Sequence, residues 1–198
     1  MTSVRLFVYG SMSEGMVHFK RIENLVLSIS PARVKARAYR LQVGFPVLVQ
    51  GESELVPGHL IELKGSDLFL GLLDEFYGYN QFDPAKSLHH RELASVETSE
   101  GLEQAWVYFM NPAKLPKSAV HIEGGDWVGS LQSQPPLTER LTERQATYIQ
   151  KLGKCKGRDI VPIDLPLYRE LMNLELIVDK GRRLALSKLG QEVCRYLE

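Results

Sequence analysis

Cysteine is scarce in this sequence, with 2 residues among 198. Cys155 and Cys194 lie far apart, and neither belongs to a CxxC or Cys/His spacing. Closely spaced thiols are what a disulfide scaffold or a zinc site requires. The sequence therefore favours buried, reduced thiols and does not fit the class of small disulfide-stapled domains.

Long hydrophobic runs are also missing. No stretch approaches the ~18 consecutive apolar residues of a membrane-spanning helix, and the first residues show no basic region followed by an apolar one. We therefore expect no membrane partner, no secretory signal peptide and a cytoplasmic location.

Net charge is absent, because 24 Lys and Arg balance 24 Asp and Glu. No overall field attracts nucleic acid or an anionic membrane. The balance hides two unequal parts, with a net charge of −3 over residues 1–136 and +3 over 137–198. The change falls at Gln134-Pro135-Pro136, a junction that cannot continue a helix. We predict two domains, residues 1–133 and 137–198.

Strand patterns dominate the first domain. Period-two alternation, or short apolar runs between turn residues such as Gly51-Glu52-Ser53, predicts strands at residues 4–8, 34–41, 46–49, 56–63, 93–96 and 104–109. Two short helices are predicted, one over 19–27 and one capped by Ser66, whose apolar face is formed by Leu68, Phe69, Leu72, Leu73 and Phe76. Many strands and few helices predict a small mixed β-barrel.

The second domain has a different pattern. A helix with a Thr142 cap runs to Gly153, another begins at Asp164-Leu165-Pro166, residues 176–186 predict a hairpin, and 188–196 predict a closing helix. The whole chain is thus α+β, with a small helical second domain that contains a β-hairpin. This order resembles a winged helix, and Arg182 and Arg183 on the wing could contact a phosphate backbone.

Nucleic acid is nevertheless the less favoured partner. The second helix presents Arg169 and Glu170 rather than the basic or amide-rich surface of a helix that reads bases. The second domain could equally pack on the barrel, cover a site or form a dimer contact, so both a monomer and a homodimer remain open.

The first predicted strand breaks abruptly into Tyr9-Gly10-Ser11-Met12. A strand that ends in Gly-Ser presents backbone N–H groups without a ladder partner, and such groups can hold a carboxylate or an oxyanion. An ordinary turn is the simpler interpretation of the same residues.

Six short strings occur in order over residues 4–131: Phe7–Met12, Ala38-Tyr39 to Gly44–Pro46, Val56–Leu60, Leu73–Phe76, Trp106–Tyr108 and Gly125–Trp127. In order and spacing the chain resembles the γ-glutamylcyclotransferase-like proteins, including the AIG2-like and γ-glutamylamine cyclotransferase branches. The resemblance implies the small mixed α/β barrel of that family.

The resemblance also implies a reaction that needs no cofactor. The α-amine of a γ-glutamyl compound attacks its own γ-carbonyl, which forms 5-oxoproline and releases an amine or peptide. In the family, loop amides hold the substrate and a glutamate removes the proton of the α-ammonium group. By this resemblance, Tyr9, Gly10, Ser11 and Met12 form the substrate loop.

The sequence departs from the family at the base. The family string Leu-Asp-x-x-Glu-Gly reads Leu73-Asp74-Glu75-Phe76-Tyr77-Gly78, so Tyr77 occupies the glutamate position. A phenol with a pKa near ~10 is not a resting base at neutral pH. Glu75 and Glu92 are the two carboxylate candidates for the base.

The strand that contains Glu92 begins His89-His90-Arg91. The family usually shows Tyr-x-Arg here, so Arg91 matches and is expected to contact substrate, whereas His89 replaces the tyrosine. A histidine is a suitable base, although His89 and His90 fit packing roles better. His18, His59 and His121 show no metal-ligand spacing, so we expect no metal site.

Three functions remain open. The protein is an active cyclotransferase on an unusual γ-glutamyl substrate, a catalytically silent binder of a γ-glutamyl or other carboxylate-bearing molecule, or a regulator whose residues 137–198 contact DNA or a partner.

Overall fold

The computed structural model describes residues 3–65, 67–155 and 159–197, the side chains of 67–69 excepted. Contacts between Cα atoms divide the chain into two units. The first comprises residues 1–41 and 45–130, and the second comprises residues 42–44 and 131–198.

The first unit is built on a six-stranded sheet. Its strands are β1 (Ser3–Val8), β2 (Val26–Arg40), β3 (Pro46–Lys64), β4 (His89–Thr98), β5 (Gly101–Met110) and β6 (Val120–His121). The strand order is β3-β1-β5-β4-β2-β6, and β3 also pairs with β2. The α+β class is therefore confirmed.

The expected barrel takes the form of a large curled sheet. Among the described residues, β1 and β5 pair in parallel only at Leu6 and Trp106, and β2 meets β4 only at two positions, Arg33 with Glu97 and Val34 with Val96. With such short seams the sheet curls strongly without the full ladders of a closed barrel.

The predicted strands 46–49 and 56–63 belong to one strand, β3. Lys35 of β2 pairs with Leu55, yet the next residue, Ala36, pairs with Gln50. The turn-formers Gly51–Ser53 therefore lie in a bulge within β3, because β2 continues to pair on both sides of them.

The predicted helix over 19–27 is wrong. Residues Phe19–Arg21 and Glu23–Leu25 form two separate 3-10 turns, and β2 begins at Val26, which pairs with Leu63. A segment of barely two turns gains little from helix propagation. Strand pairing therefore determines the conformation of its end.

Helix α1 (Asp67–Tyr77) packs one stripe onto the sheet. Leu70 and Leu73 are buried beside core residues of β1 and β3, whereas Leu72 is 65% exposed, contrary to the predicted apolar face. Positions three and seven apart share a helix face, so the stripe runs through Leu70, Leu73 and Tyr77. The predicted cap, Ser66, lies outside the described residues.

The second unit contains helices and one hairpin. Helix α2 (Trp127–Ser133) spans the boundary between the two units. The elements that follow it are α3 (Leu137–Arg140), α4 (Glu143–Lys154), α5 (Leu165–Asn173), β7 (Ile177–Asp179), β8 (Leu184–Leu186) and α6 (Lys188–Leu197). Thr142 and Gln145 form a capping box on α4, and Asp164 caps α5. The predicted helices and hairpin of this segment are confirmed, because strong caps and turn residues specify them locally.

Two helical glycines give opposite expectations for stability. A Cβ on Gly190 of α6 would overlap the carbonyl oxygen of Leu176, which also accepts a hydrogen bond from the Ser187 N–H at 3.0 Å. Gly190→Ala should lower the free energy of unfolding by about 1–3 kcal/mol.

Gly71, within α1, is the matched control because a Cβ there meets nothing within 4 Å. Gly71→Ala should raise stability by about 0.5–1 kcal/mol, since Ala loses less backbone entropy in a helix. Urea unfolding followed by circular dichroism measures both variants. Equal effects would show that the Leu176 contact does not constrain Gly190.

Candidate active site at the end of the first strand

The loop after β1 forms a tight turn. Tyr9 is extended, and Gly10–Met12 form one 3-10 turn in which the Ser13 N–H donates to the Gly10 carbonyl. Gly10 has φ +70°, the left-handed region that favours glycine. The first N–H groups of such a turn have no acceptor within it, so the turn can present amides to an anion.

The loop is anchored on both sides. The Tyr9 hydroxyl donates to the Gly125 carbonyl at 2.9 Å, and the Met12 side chain is fully buried. Pro46, at the start of β3, packs directly over Gly10, where an added Cβ would overlap its ring. These contacts keep the amides of the turn in a fixed position.

Tyr77 lies at the end of α1 in an aromatic group. Its ring stacks on Tyr108 with centroids 4.1 Å apart. The His89 ring lies in a T-shaped arrangement with Tyr77, with centroids 5.3 Å apart. A ring nitrogen of His89 also lies 2.7 Å from the Tyr77 carbonyl oxygen. Tyr77 also packs against the core cluster of which Val8 and Met12 are members.

Asp74 fixes the last turns of α1 to the sheet. Its carboxylate accepts hydrogen bonds from the Tyr108 hydroxyl at 2.7 Å and from Arg91 at 3.0 Å. The Arg91 guanidinium also lies over the rings of Tyr79 and Trp106. In this structure Arg91, the expected substrate contact, braces the helix that carries Tyr77.

Tyr9 and Tyr108 should make the first unit sensitive to alkaline pH. Burial raises the pKa of both phenols, and nearby Asp126 adds to the effect on Tyr9, as the hydrogen bond to Asp74 does on Tyr108. The folded state favours the protonated phenols, so their stabilisation is complete below about pH 10, the pKa of an unfolded tyrosine, and falls above it.

Tyr9→Phe should therefore flatten the loss of stability above about pH 10. Urea midpoints measured across that range for the wild type and the variant test this expectation. An identical pH slope for the two proteins would contradict it.

The two carboxylate candidates for the base, Glu75 and Glu92, lie outside the aromatic group around Tyr77. Glu75 is exposed on α1. Glu92 accepts a hydrogen bond from the Gln50 amide at 2.9 Å and lines a separate cleft of about 600 Å³ beside β2, β3 and β4. Tyr77 and Met12 of the loop thus border one core cluster, whereas Glu75 faces solvent and Glu92 lines the cleft.

Sequence reasoning missed two residues near the loop. The His18 ring is buried between Phe45 and Phe76, with centroids 5.9 and 4.9 Å away. Trp127 is 4% exposed, and its indole N–H has no acceptor among the described residues. The only sequence signal was that His18 closely follows the loop and that Trp127 ends the last family string.

In the described part of the chain, no three His, Cys, Asp or Glu side chains cluster as metal ligands. No helix there is long and apolar enough to cross a membrane.

Comparison with known proteins decides the family. A model of the family described as gamma-glutamyl cyclotransferase, AIG2-like, matches residues 6–129. The chain belongs to this family. Both the Gly10–Met12 turn and Tyr77 lie within the residues that match the family.

Two solved structures are similar to this chain. YkqA from Bacillus subtilis superimposes with a TM-score of 0.50 at 19% identity, covering 93% of this chain and 81% of that one. An AIG2-like protein from Mus musculus gives a TM-score of 0.44 at 18% identity, covering 59% of this chain and 82% of that one. The comparison with curated protein sequences finds no match.

Proposed function

We propose that the protein converts a γ-glutamyl amine or peptide to 5-oxoproline and the free amine. The nucleophile and the carbonyl belong to one molecule, so correct orientation supplies much of the acceleration, up to about 7–11 kcal/mol for well-aligned groups. The protein has to hold the substrate folded, to remove a proton from the α-ammonium group and to stabilise the developing oxyanion.

The observation that carries this proposal is the Gly10–Met12 turn. Its amides stand at the end of β1, the Tyr9 hydroxyl bond holds it from one side, and Pro46 covers it from the other. Rigid N–H donors stabilise an oxyanion or carboxylate without reorganisation. The turn thus provides the holding part of the reaction.

Trp127 lies near Phe45 and offers a further buried donor. Its ring lies 6.3 Å from Phe45, the residue before the Pro46 that covers Gly10. A buried N–H without an acceptor costs about 1–3 kcal/mol. An oxygen of a bound substrate would remove that cost, which supports a carboxylate-bearing ligand here.

The test is an assay of 5-oxoproline with purified protein. The panel contains γ-glutamyl amino acids and γ-glutamyl amines. The α-glutamyl isomers serve as controls, because attack of their α-amine on the amide carbonyl would close a three-membered ring and so cannot release the amine. We expect 5-oxoproline from at least one γ-glutamyl compound and none from the controls. Absence of product across the panel would overturn the proposed reaction.

The same panel separates the alternative of a silent binder. If calorimetry shows that γ-glutamyl compounds bind without turnover, the protein is a catalytically silent member of its family. If none of them binds, both interpretations of the turn fail.

One observation favours a second candidate function for the C-terminal segment. The β7–β8 hairpin exists, and its turn, closed by a hydrogen bond between Lys180 and Arg183, exposes Lys180, Arg182 and Arg183. Such a turn suits a phosphate backbone. If the full-length chain shows no salt-sensitive binding to duplex DNA, this alternative is eliminated.

A further inference from the structure

The proposed reaction needs a base that the family position does not supply. Tyr77 is a phenol, with an ordinary pKa near ~10. Asp74 is held by Tyr108 and Arg91, Glu75 is exposed, and Glu92 is bonded to Gln50 in a separate cleft. A ring nitrogen of His89 is engaged by the Tyr77 carbonyl oxygen, so the remaining candidates for the proton acceptor lie at the loop.

His18 is attached to the loop through its backbone. The His18 N–H donates to the carbonyl of Ser11 at 2.9 Å. The Ser11 residue is the centre of the Gly10–Met12 turn, so the position of His18 is tied to that of the turn. The residue is 3% exposed, which keeps its ring inside the protein.

The His18 ring contacts two aromatic residues, and each of these is next in sequence to Tyr77 or to Pro46. Phe76 lies 4.9 Å from it by ring centroids and is the neighbour of Tyr77, whose ring it contacts at 5.0 Å. Phe45 lies 5.9 Å away and precedes Pro46, which covers Gly10. His18 is thus tied to the turn through the Ser11 carbonyl, and its ring contacts α1 through Phe76.

We propose that His18 is the general base of this protein, an inference that rests on the proposed cyclisation. A histidine has an ordinary pKa near ~6.5 and can accept a proton at neutral pH. Its place beside the turn lets a histidine from the loop segment replace the glutamate that α1 carries elsewhere in the family.

The proton balance of the step is simple. The neutral imidazole takes a proton from the substrate α-ammonium group, and the freed amine forms a bond to the γ-carbon. The imidazolium gives that proton to the leaving nitrogen as the bond between this nitrogen and the γ-carbon breaks. The imidazole, neutral again, then takes the second proton that the ring nitrogen must lose to become an amide, and this proton passes to the released amine. No other reactant is consumed, and His18 ends the cycle neutral.

The experiment compares His18→Gln in two backgrounds. In the wild type, the variant should lower kcat for the best γ-glutamyl substrate of the panel by about 10²-fold with little change in KM, as expected for loss of a positioned base. In a Tyr77→Glu background, a carboxylate supplies the base, so the same substitution should change kcat by no more than about twofold. His121→Gln, on exposed β6, is the histidine control.

A purely structural role for His18 predicts equal losses in both backgrounds, and that result would overturn the inference. Undiminished kcat in His18→Gln would overturn it as well. If neither the wild type nor Tyr77→Glu forms 5-oxoproline, the proposed function itself fails. His18→Phe, which keeps an aromatic ring between Phe45 and Phe76, repeats the comparison should the Gln variant unfold.

Discussion

Replacing Tyr77 with glutamate should increase the rate of 5-oxoproline formation by about 10²-fold, near the lower end of what a positioned base contributes. The gain is limited because the proposed base His18 already removes the proton in the wild type. The end of α1 is held to the sheet through Asp74, Tyr108 and Arg91, so a carboxylate at 77 should be well oriented. Steady-state kinetics on the best substrate of the panel measures the effect.

Tyr77→Gln is the matched control, because Gln has the size of Glu but is not a base at neutral pH. Both variants lose the stacking on Tyr108, so any effect of the lost ring is shared. A rate for Tyr77→Glu no higher than that of Tyr77→Gln, in folded proteins that bind substrate, would contradict the assignment of position 77 to the active site.

Replacing Gly10 with alanine should abolish most activity and destabilise the first unit. The residue has φ +70°, which costs an alanine about 1–2 kcal/mol, and its Cβ would overlap Cγ of Pro46 and lie 2.9 Å from Cδ. Overpacking of this kind adds about 1–3 kcal/mol. A shift of the turn amides by about 1 Å should lower kcat/KM by about 10²-fold.

Gly15→Ala separates the two causes, because Gly15 has φ +78° and a Cβ there meets nothing within 4 Å. This variant should lose only the conformational cost, about 1–2 kcal/mol, and keep its activity. Urea unfolding and the 5-oxoproline assay measure both proteins. If Gly10→Ala retained the activity of Gly15→Ala, the turn would not be the substrate loop.

Much of the fold could be predicted from local patterns. Period-two alternation or short apolar runs predicted the strands that became β1, β4 and β5. The Thr142 and Asp164 caps marked the starts of α4 and α5. The conformation of residues 51–53 and 19–27 was predicted wrongly, because it depends on pairing between distant residues. Residues 51–53 lie in a strand that pairs with β2, and the end of 19–27 belongs to β2 itself.

The site was only half predictable. The break after Val8 identified the Gly10–Met12 turn, since a Gly-Ser pair after an apolar strand is a local signal. The bracing of α1 by Arg91 and the place of His18 could not be foreseen, because each depends on contacts between residues distant in sequence.

The sequence by itself determined the local conformations, the family and the missing glutamate at position 77, because strand alternation, caps and motif strings are written in neighbouring residues. Tertiary structure alone decided which groups surround the loop. Sheet register and the packing of α1 bring Phe45 and Phe76 into contact with His18. These contacts cannot be predicted from the periodicity of the sequence. Position 77 lacks the carboxylate of the family, and the fold places the His18 ring against the preceding residue, Phe76.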